Sequence, residues 1–121
     1  GSSIKALVES SLLVEGYQLI TSTFEDIDSK EVRAIADRLR NKSENSIIVL
    51  ISISEDKAPA IVACSKDVDI DAREIMKHLI NQLGGSGGGR SDFAQGGVEN
   101  INDLDLALTS VADLIVSLNN Q

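Results

Sequence analysis

Cysteine, histidine and proline each occur only once in this sequence of 121 residues, and tryptophan is absent. Because Cys64 has no second cysteine to pair with, an internal disulfide is excluded, and its place in an apolar run predicts a free thiol that packs as a small hydrophobic side chain. One cysteine and one histidine also cannot assemble a Cys/His zinc site. We therefore predict no metal site and a reducing, cytoplasmic location.

Long hydrophobic runs are missing as well. The longest one, Ile47–Ile53, contains Ser52 and is far too short to cross a bilayer. No charged and then apolar leader precedes a cleavage site. We predict no contact with a membrane, and we interpret Gly1, Ser2 and Ser3 as a processing scar on a piece of a longer protein.

Positive charge is scarce. Lysine and arginine total 11 against 19 acidic residues, which gives a formal net charge of -8. Because phosphate binding scales with the number of cations presented, this balance excludes a protein that holds nucleic acid by bulk charge. A contact with nucleic acid therefore requires a local basic patch.

The remaining composition indicates one folded domain, since 42% of the residues are apolar and 25% are charged. A segment rich in β-branched and aromatic residues, without glycine or proline, predicts a strand at Tyr17–Phe24. Apolar runs predict strands at Ile47–Ile53 and Ala60–Cys64, joined by a turn at residues 54–59. Helical periodicity predicts three helices: residues 29–42 with a capping box from Asp28 to Glu31, a second from Asp69 or Asp71 to about Leu83, and a third from Asn102 or Asp105.

This order, β-α-β-β-α-loop-α, predicts a single small α/β domain with a mixed sheet and packed helices, its first two long strands parallel. Residues 4–14 suit either the end of a helix or, in the segment SLLV, a short strand. The third helix has an apolar stripe that needs a cover, which a second chain would supply in a self-association module; its members are Leu104, Leu108, Val111, Ile115 and Leu118.

No catalytic residue is predicted. His78 falls on the charged face of the second helix, where a solvent-exposed histidine is favoured over a general base. Ser86 and Ser91 have no candidate base at a meaningful spacing.

The most informative segment is 84–97, which contains seven of the nine glycines. It ends in Arg, Asp, Phe, Ala and Gln, which is not the composition of a slack linker, so we predict an ordered loop. Backbone N–H groups freed by glycine form anion-binding nests, and Arg90 adds a side chain that pairs with phosphate. The segment follows a predicted helix, unlike a dinucleotide fingerprint, and lacks the Gly-Lys-Ser/Thr ending of a phosphate loop.

In this segment the sequence resembles the C-terminal domain of alanyl-tRNA synthetase. The family pattern is Gly-Gly-Arg-Pro-Asp-Met-Ala-Gln-Gly-Gly, and the chain reads Gly-Gly-Arg-Ser-Asp-Phe-Ala-Gln-Gly-Gly from Gly88 to Gly97. Ser91 and Phe93 depart from the usual Pro and Met. The resemblance implies a signature loop formed by Gly87, Gly88, Gly89, Arg90, Asp92, Phe93, Gln95, Gly96 and Gly97.

The resemblance implies that residues 1–14 end a helical arm and that residues 15–121 form a non-catalytic domain that contacts tRNA. This domain would support aminoacylation and editing by the parent alanine–tRNA ligase. It implies no cofactor for the domain itself, whereas the rest of the synthetase would use ATP with magnesium and zinc. The alternatives are a module for homo-oligomerisation and the nucleotide-binding accessory domain of a DHH phosphoesterase.

Three features bear on RNA binding and leave alternatives open. A local basic edge is formed by Arg33, Arg38, Arg40, Lys42, Lys66 and Arg90, although a solvated helix face explains the first four equally well. Phe93 is either a stacking platform for a base or a side chain buried under the loop. Arg90 either contacts phosphate or ties down the loop by pairing with Asp92.

Overall fold

A computed structural model describes residues 2–55 and 58–121 of the chain. Four helices and six strands follow one another in the order α1 Ser2–Glu9, β1 Leu12–Val14, β2 Tyr17–Glu25, α2 Ser29–Lys42, β3 Ser46–Ile53, β4 Ala58–Cys64, α3 Ala72–Leu83, β5 Gly85–Gly89, β6 Phe93–Val98 and α4 Leu104–Asn119, with a 3-10 turn at Ile101–Asp103. The α/β class and the mixed sheet predicted from the sequence are confirmed.

The strands form one sheet in the order β1-β2-β3-β4-β6-β5. Strands β2 and β3 are parallel and are connected through α2, whereas the other neighbouring pairs are antiparallel. The sheet lies between two helical layers. Helices α1 and α2 pack on one face, and α3 and α4 pack on the other.

Strand β3 explains why the sheet is covered on both sides. Its residues Ile47, Val49 and Ile51 point into the cluster under α3 and α4, while Ile48 and Leu50 point into the cluster under α1 and α2. All five are fully buried. Burial contributes about 1.5–3 kcal/mol for each such side chain, so this continuous apolar run is a main source of stability.

The local signals for α2 and α3 are confirmed. The Asp28 side chain accepts a hydrogen bond from the Glu31 backbone N–H, and Asp71 does the same for Arg73 at the start of α3. Gly84 ends α3 with a positive φ of 77°. The predicted turn at 54–59 falls partly on residues 56 and 57, which lie outside the described residues, and β4 begins at Ala58, earlier than predicted.

The prediction of a loop at residues 84–97 is wrong, because this segment forms the hairpin of β5 and β6 at the edge of the sheet. The composition of the segment did not predict this hairpin, because glycine is depleted from strands and β5 has only one side chain, that of Ser86. The hairpin is anchored by β6, which pairs with β4 and buries Ala94 and Val98.

Both interpretations of residues 4–14 apply in part. Ile4 of α1 is buried against the α2 face, and β1 pairs with β2. That residues 1–14 end a helical arm stays a prediction, and Gly1 of the interpreted scar lies outside the described residues. The apolar stripe of α4 is covered by its own domain, since Leu104, Val111 and Ile115 are buried with α3 and the sheet. It needs no second chain.

His78 is not the solvent-exposed residue that helical periodicity predicts. It is half-buried, and its Nε2 lies 2.8 Å from the Ser110 hydroxyl oxygen on α4. Burial lowers the pKa of this imidazole from its ordinary value. His78 therefore serves as a polar link between α3 and α4.

Two buried serines of β3 lead to opposite stability predictions. The Ser46 hydroxyl is fully buried and has no hydrogen-bond partner within residues 2–55 and 58–121, whereas the Ser52 hydroxyl donates to the Ile27 carbonyl at 2.6 Å and accepts from its N–H at 3.1 Å. We expect Ser46→Ala to raise the free energy of unfolding by about 1 kcal/mol, because it removes a buried hydroxyl that has no partner. We expect Ser52→Ala to lower it by about 1–3 kcal/mol, because the backbone N–H and carbonyl of Ile27 lose their hydrogen-bond partner. Urea unfolding of both variants measures this difference, and equal effects would contradict it.

Candidate functional site

The turn between β5 and β6 is held tightly against the domain. The Arg90 N–H donates to the Phe93 carbonyl at 2.9 Å and the Phe93 N–H donates to the Arg90 carbonyl at 3.3 Å, which leaves Ser91 and Asp92 at the tip. The two tip carbonyls also accept hydrogen bonds, Ser91 from the Ala72 N–H at 2.7 Å and Asp92 from the Cys64 N–H at 2.9 Å. The tip is therefore fixed to the start of α3 and the end of β4, and it is an ordered feature of the surface.

The Phe93 ring lies between this hairpin and helix α2. It is half-buried against the α2 cluster. The guanidinium carbon of Arg33 lies 5.7 Å from the ring centroid, and that of Arg40 lies 5.4 Å from it. Both distances allow cation–π attraction, which holds the two arginines at the outer surface of the ring. Of the two alternatives for Phe93, the structure thus shows partial burial with arginines stacked on it.

The three arginines of this region differ in their partners. Arg40 pairs with Asp37 at 3.0 Å and lies 3.7 Å from the Asp92 carboxylate, and Arg90 lies 3.3 Å from the same Asp92. Arg33 instead donates to the Gln95 side-chain oxygen. Among residues 2–55 and 58–121 it has no carboxylate partner, so its charge is the least compensated of the three.

These groups surround a cavity of about 330 Å³, lined by Arg33, Asp37, Arg40, Gly88, Gly89, Arg90, Phe93 and Gln95. We call it the arginine–hairpin site. The backbone of Gly88 and Gly89 forms one wall, so no side chain shields the arginines from an anion that approaches on that side. Three guanidiniums against two carboxylates leave the site with an excess of positive charge, which suits a phosphate group.

Most of the sequence-predicted loop residues lie in or beside this site. Gly87, Gly96 and Gly97 belong to the strands behind it and do not line its cavity. The predicted basic residues are divided. Arg33 and Arg40 reach the site, whereas Arg38 and Lys42 face a groove between α1 and α2. Lys66 lines a neighbouring cavity of about 620 Å³, which Arg40 also lines. Sequence reasoning missed Asp37, whose spacing three residues before Arg40 on a helix was the available signal.

The charge of the chain is distributed unevenly between the two helical layers. Helices α1 and α2 contain six of the 11 lysines and arginines and only three acidic residues, Glu9, Glu31 and Asp37. Helices α3 and α4 contain two cations, Arg73 and Lys77, and three acids. The layer that contributes Arg33 and Arg40 is thus locally positive in an acidic protein.

The carboxylate of Asp71 stabilises the start of α3. Asp71 caps the helix and lies 2.6 Å from Arg73, whose hydrogen bond lowers the pKa of this carboxyl. Within the described part of the chain, no three His, Cys, Asp or Glu side chains are grouped so that they could hold a metal ion.

Cys64 lies buried directly behind the turn. Burial, with the negative charges of Asp71 and Asp92 nearby, raises the pKa of its thiol to about 12. Because only the thiolate reacts, we expect the folded protein to resist iodoacetamide at pH 8 and to be alkylated in urea. Intact-mass measurement checks this, and equal labelling rates in both states would contradict the buried position.

Sequence comparisons match the chain to a domain family and to curated relatives. The DHHA1 domain family matches residues 16–117. Alanine–tRNA ligases of Vesicomyosocius okutanii and Clostridioides difficile are 38% and 34% identical to the chain over 111 and 116 residues. These matches cover 90% and 93% of the chain but only 13% of each relative, so the chain spans about an eighth of their length.

Solved structures also match the chain. The C-Ala domain of Aquifex aeolicus alanyl-tRNA synthetase matches 86% of this chain and 96% of its own, with a TM-score of 0.80 and 27% identity. A DHH domain from a member of the s1p family of ribosomal proteins has a TM-score of 0.61 at 19% identity, which shows a shared fold alone. No helix in the described residues has the length and hydropathy needed to cross a membrane.

Proposed function

The chain belongs to the DHHA1 domain family and matches the C-Ala domain of alanyl-tRNA synthetase, and on that premise we propose that it contacts tRNA through the arginine–hairpin site. The contact supports aminoacylation and editing by the parent alanine–tRNA ligase, because a domain that holds the outside of a tRNA keeps it near both reactions. The rest of the synthetase chain is the second partner.

The observation that most supports this proposal is the position of Arg33. It reaches the glycine-walled cavity from α2, stacks on Phe93 and has a neutral hydrogen-bond partner, Gln95. A guanidinium held in this way is pre-organised, and the phosphate it binds need not displace a carboxylate.

Arg40 and Arg90 have smaller roles in this proposal. Asp37 holds Arg40 against Phe93, and Asp92 is shared between Arg40 and Arg90. These carboxylates compensate part of the charge and fix the geometry of the site. We therefore assign the main phosphate contact to Arg33, and to Arg90 a contact at the rim together with the pairing to Asp92.

The local charge removes the main objection to RNA binding by an acidic chain. A nucleic acid experiences the nearby cations most strongly, because solvent-exposed charges are screened beyond about 8–10 Å at physiological salt. The positive α1–α2 layer therefore faces the RNA, while the acidic remainder faces away from it. A contact of this size reads backbone and shape more than base sequence.

The test is a binding titration of the domain with alanine tRNA and with an unrelated tRNA at several salt concentrations. We expect measurable affinity at low salt and a logarithmic salt dependence whose slope counts the phosphate contacts. Similar affinities for the two tRNAs indicate recognition of their shared shape. Absence of binding to either tRNA at low salt would overturn the proposal.

A further inference from the structure

A second group of cations lies on the other flank of helix α2. Lys5 of α1 and Arg38 and Lys42 of α2 line a groove of about 770 Å³ between the two helices, together with Ile4, Val8, Glu9 and Asn41. All three cationic side chains are exposed. None of them forms an ion pair with any residue in 2–55 or 58–121, although Glu9 lines the same groove.

One helix connects this group to the arginine–hairpin site. Arg33 and Arg40 are seven residues apart, two turns of α2, and face the hairpin, whereas Arg38 and Lys42 are four residues apart and face α1. The two groups are therefore separated by about one helix diameter, roughly 10–12 Å. A nucleic-acid strand covers that distance within a few nucleotides.

We propose that RNA bound at the arginine–hairpin site continues across α2 and that Lys5, Arg38 and Lys42 hold a second stretch of its phosphate backbone. This inference rests on the proposed function and extends it to a second contact region. The RNA runs over the ridge of α2, where Asn41 offers an amide and no charged group of the groove blocks its path. Two carboxylates oppose it: Glu9 on the far side of the groove, and Asp37, which lines the arginine–hairpin site and pairs with Arg40.

The observations favour RNA over a protein partner in this groove. An acidic amphipathic helix would also complement the cations, and Ile4 and Val8 would offer it an apolar floor. Ile4, however, is only 7% exposed and Val8 is partly buried, because both side chains already pack against the core cluster under α1 and α2. Three exposed cations on the same helical layer as Arg33 fit a polyanion better.

The test compares variants in a salt titration of tRNA binding. Arg38→Ala and Lys42→Ala each remove one cation from the groove, and the double variant removes both. Lys77→Ala is the matched control, because it removes one exposed cation from α3 on the opposite face of the sheet. Thermal melting of each variant checks that the fold is unchanged.

We expect each groove variant to reduce the salt slope by about one unit, the double variant by about two, and Lys77→Ala to leave it unchanged. If the double variant binds tRNA with the slope of the control while Arg33→Ala still weakens binding, the second contact region is wrong and the proposed function stands. If wild-type protein binds no tRNA at low salt, the proposed function itself fails. If the groove binds an acidic helix instead of RNA, the double variant keeps the salt slope of the control.

Discussion

Replacing Gly96 by alanine is expected to lower the free energy of unfolding by about 1–3 kcal/mol, because the added methyl group has no room. A Cβ at this position would lie 2.3 Å from the Ser86 carbonyl oxygen and 2.7 Å from the Gly87 Cα. Both atoms belong to the backbone of β5, so neither can move away without separating the hairpin strands. Loss of that pairing also distorts the glycine wall of the arginine–hairpin site.

Gly97→Ala is the matched control. It is the next residue of the same strand, and a Cβ there meets nothing within 4 Å. We expect it to leave stability unchanged or to raise it by about 0.4–1 kcal/mol, since alanine restricts the unfolded chain more than glycine does. Urea unfolding of the two variants measures the difference. Equal stabilities would contradict the close packing of β5 on β6.

Arg33→Ala is expected to weaken tRNA binding about ten- to hundred-fold and to reduce the salt slope by about one unit. The expected size follows from the loss of a charge-assisted hydrogen bond, which contributes about 1.5–3 kcal/mol. Arg90→Ala is expected to weaken binding less, because Asp92 already compensates part of that charge. Fluorescence anisotropy with labelled tRNA measures both variants under the same conditions.

Arg33→Lys separates charge from geometry in this prediction. It keeps the positive charge but loses the planar group that stacks on Phe93, so we expect the salt slope to be retained and the affinity to fall partly. Unchanged melting temperatures show that the fold is intact. An Arg33→Ala variant that binds as tightly as wild type, beside an Arg90→Ala variant that does not, would assign the main contact to Arg90 instead.

Helices could be predicted from the sequence because their signals are local. For α2 the predicted range 29–42 equals the observed Ser29–Lys42, since the Asp28 cap and the buried Val32, Ala36 and Leu39 all lie within four turns. The continuous apolar run of β3 likewise required burial on both faces. Glycine-rich β5 had no such pattern, because its pairing with β6 depends on the absence of side chains.

The site was predictable only in part, for a related reason. The motif identified the hairpin residues, and composition identified the cations that were available. Their spatial grouping depends on which flank of α2 faces β6, and residue counts do not contain this information. The same limit applies to His78, whose contact with Ser110 depends on how α4 packs against α3.

The most direct test of tRNA contact at the arginine–hairpin site is to map backbone amide chemical shifts of the isotope-labelled domain during a tRNA titration. The account predicts shifts at Arg33 and Arg40 of α2 and at Gly88–Arg90 of the hairpin, while the amides of α4 remain unchanged. Shifts confined to α3 and α4, or none at low salt, would contradict it.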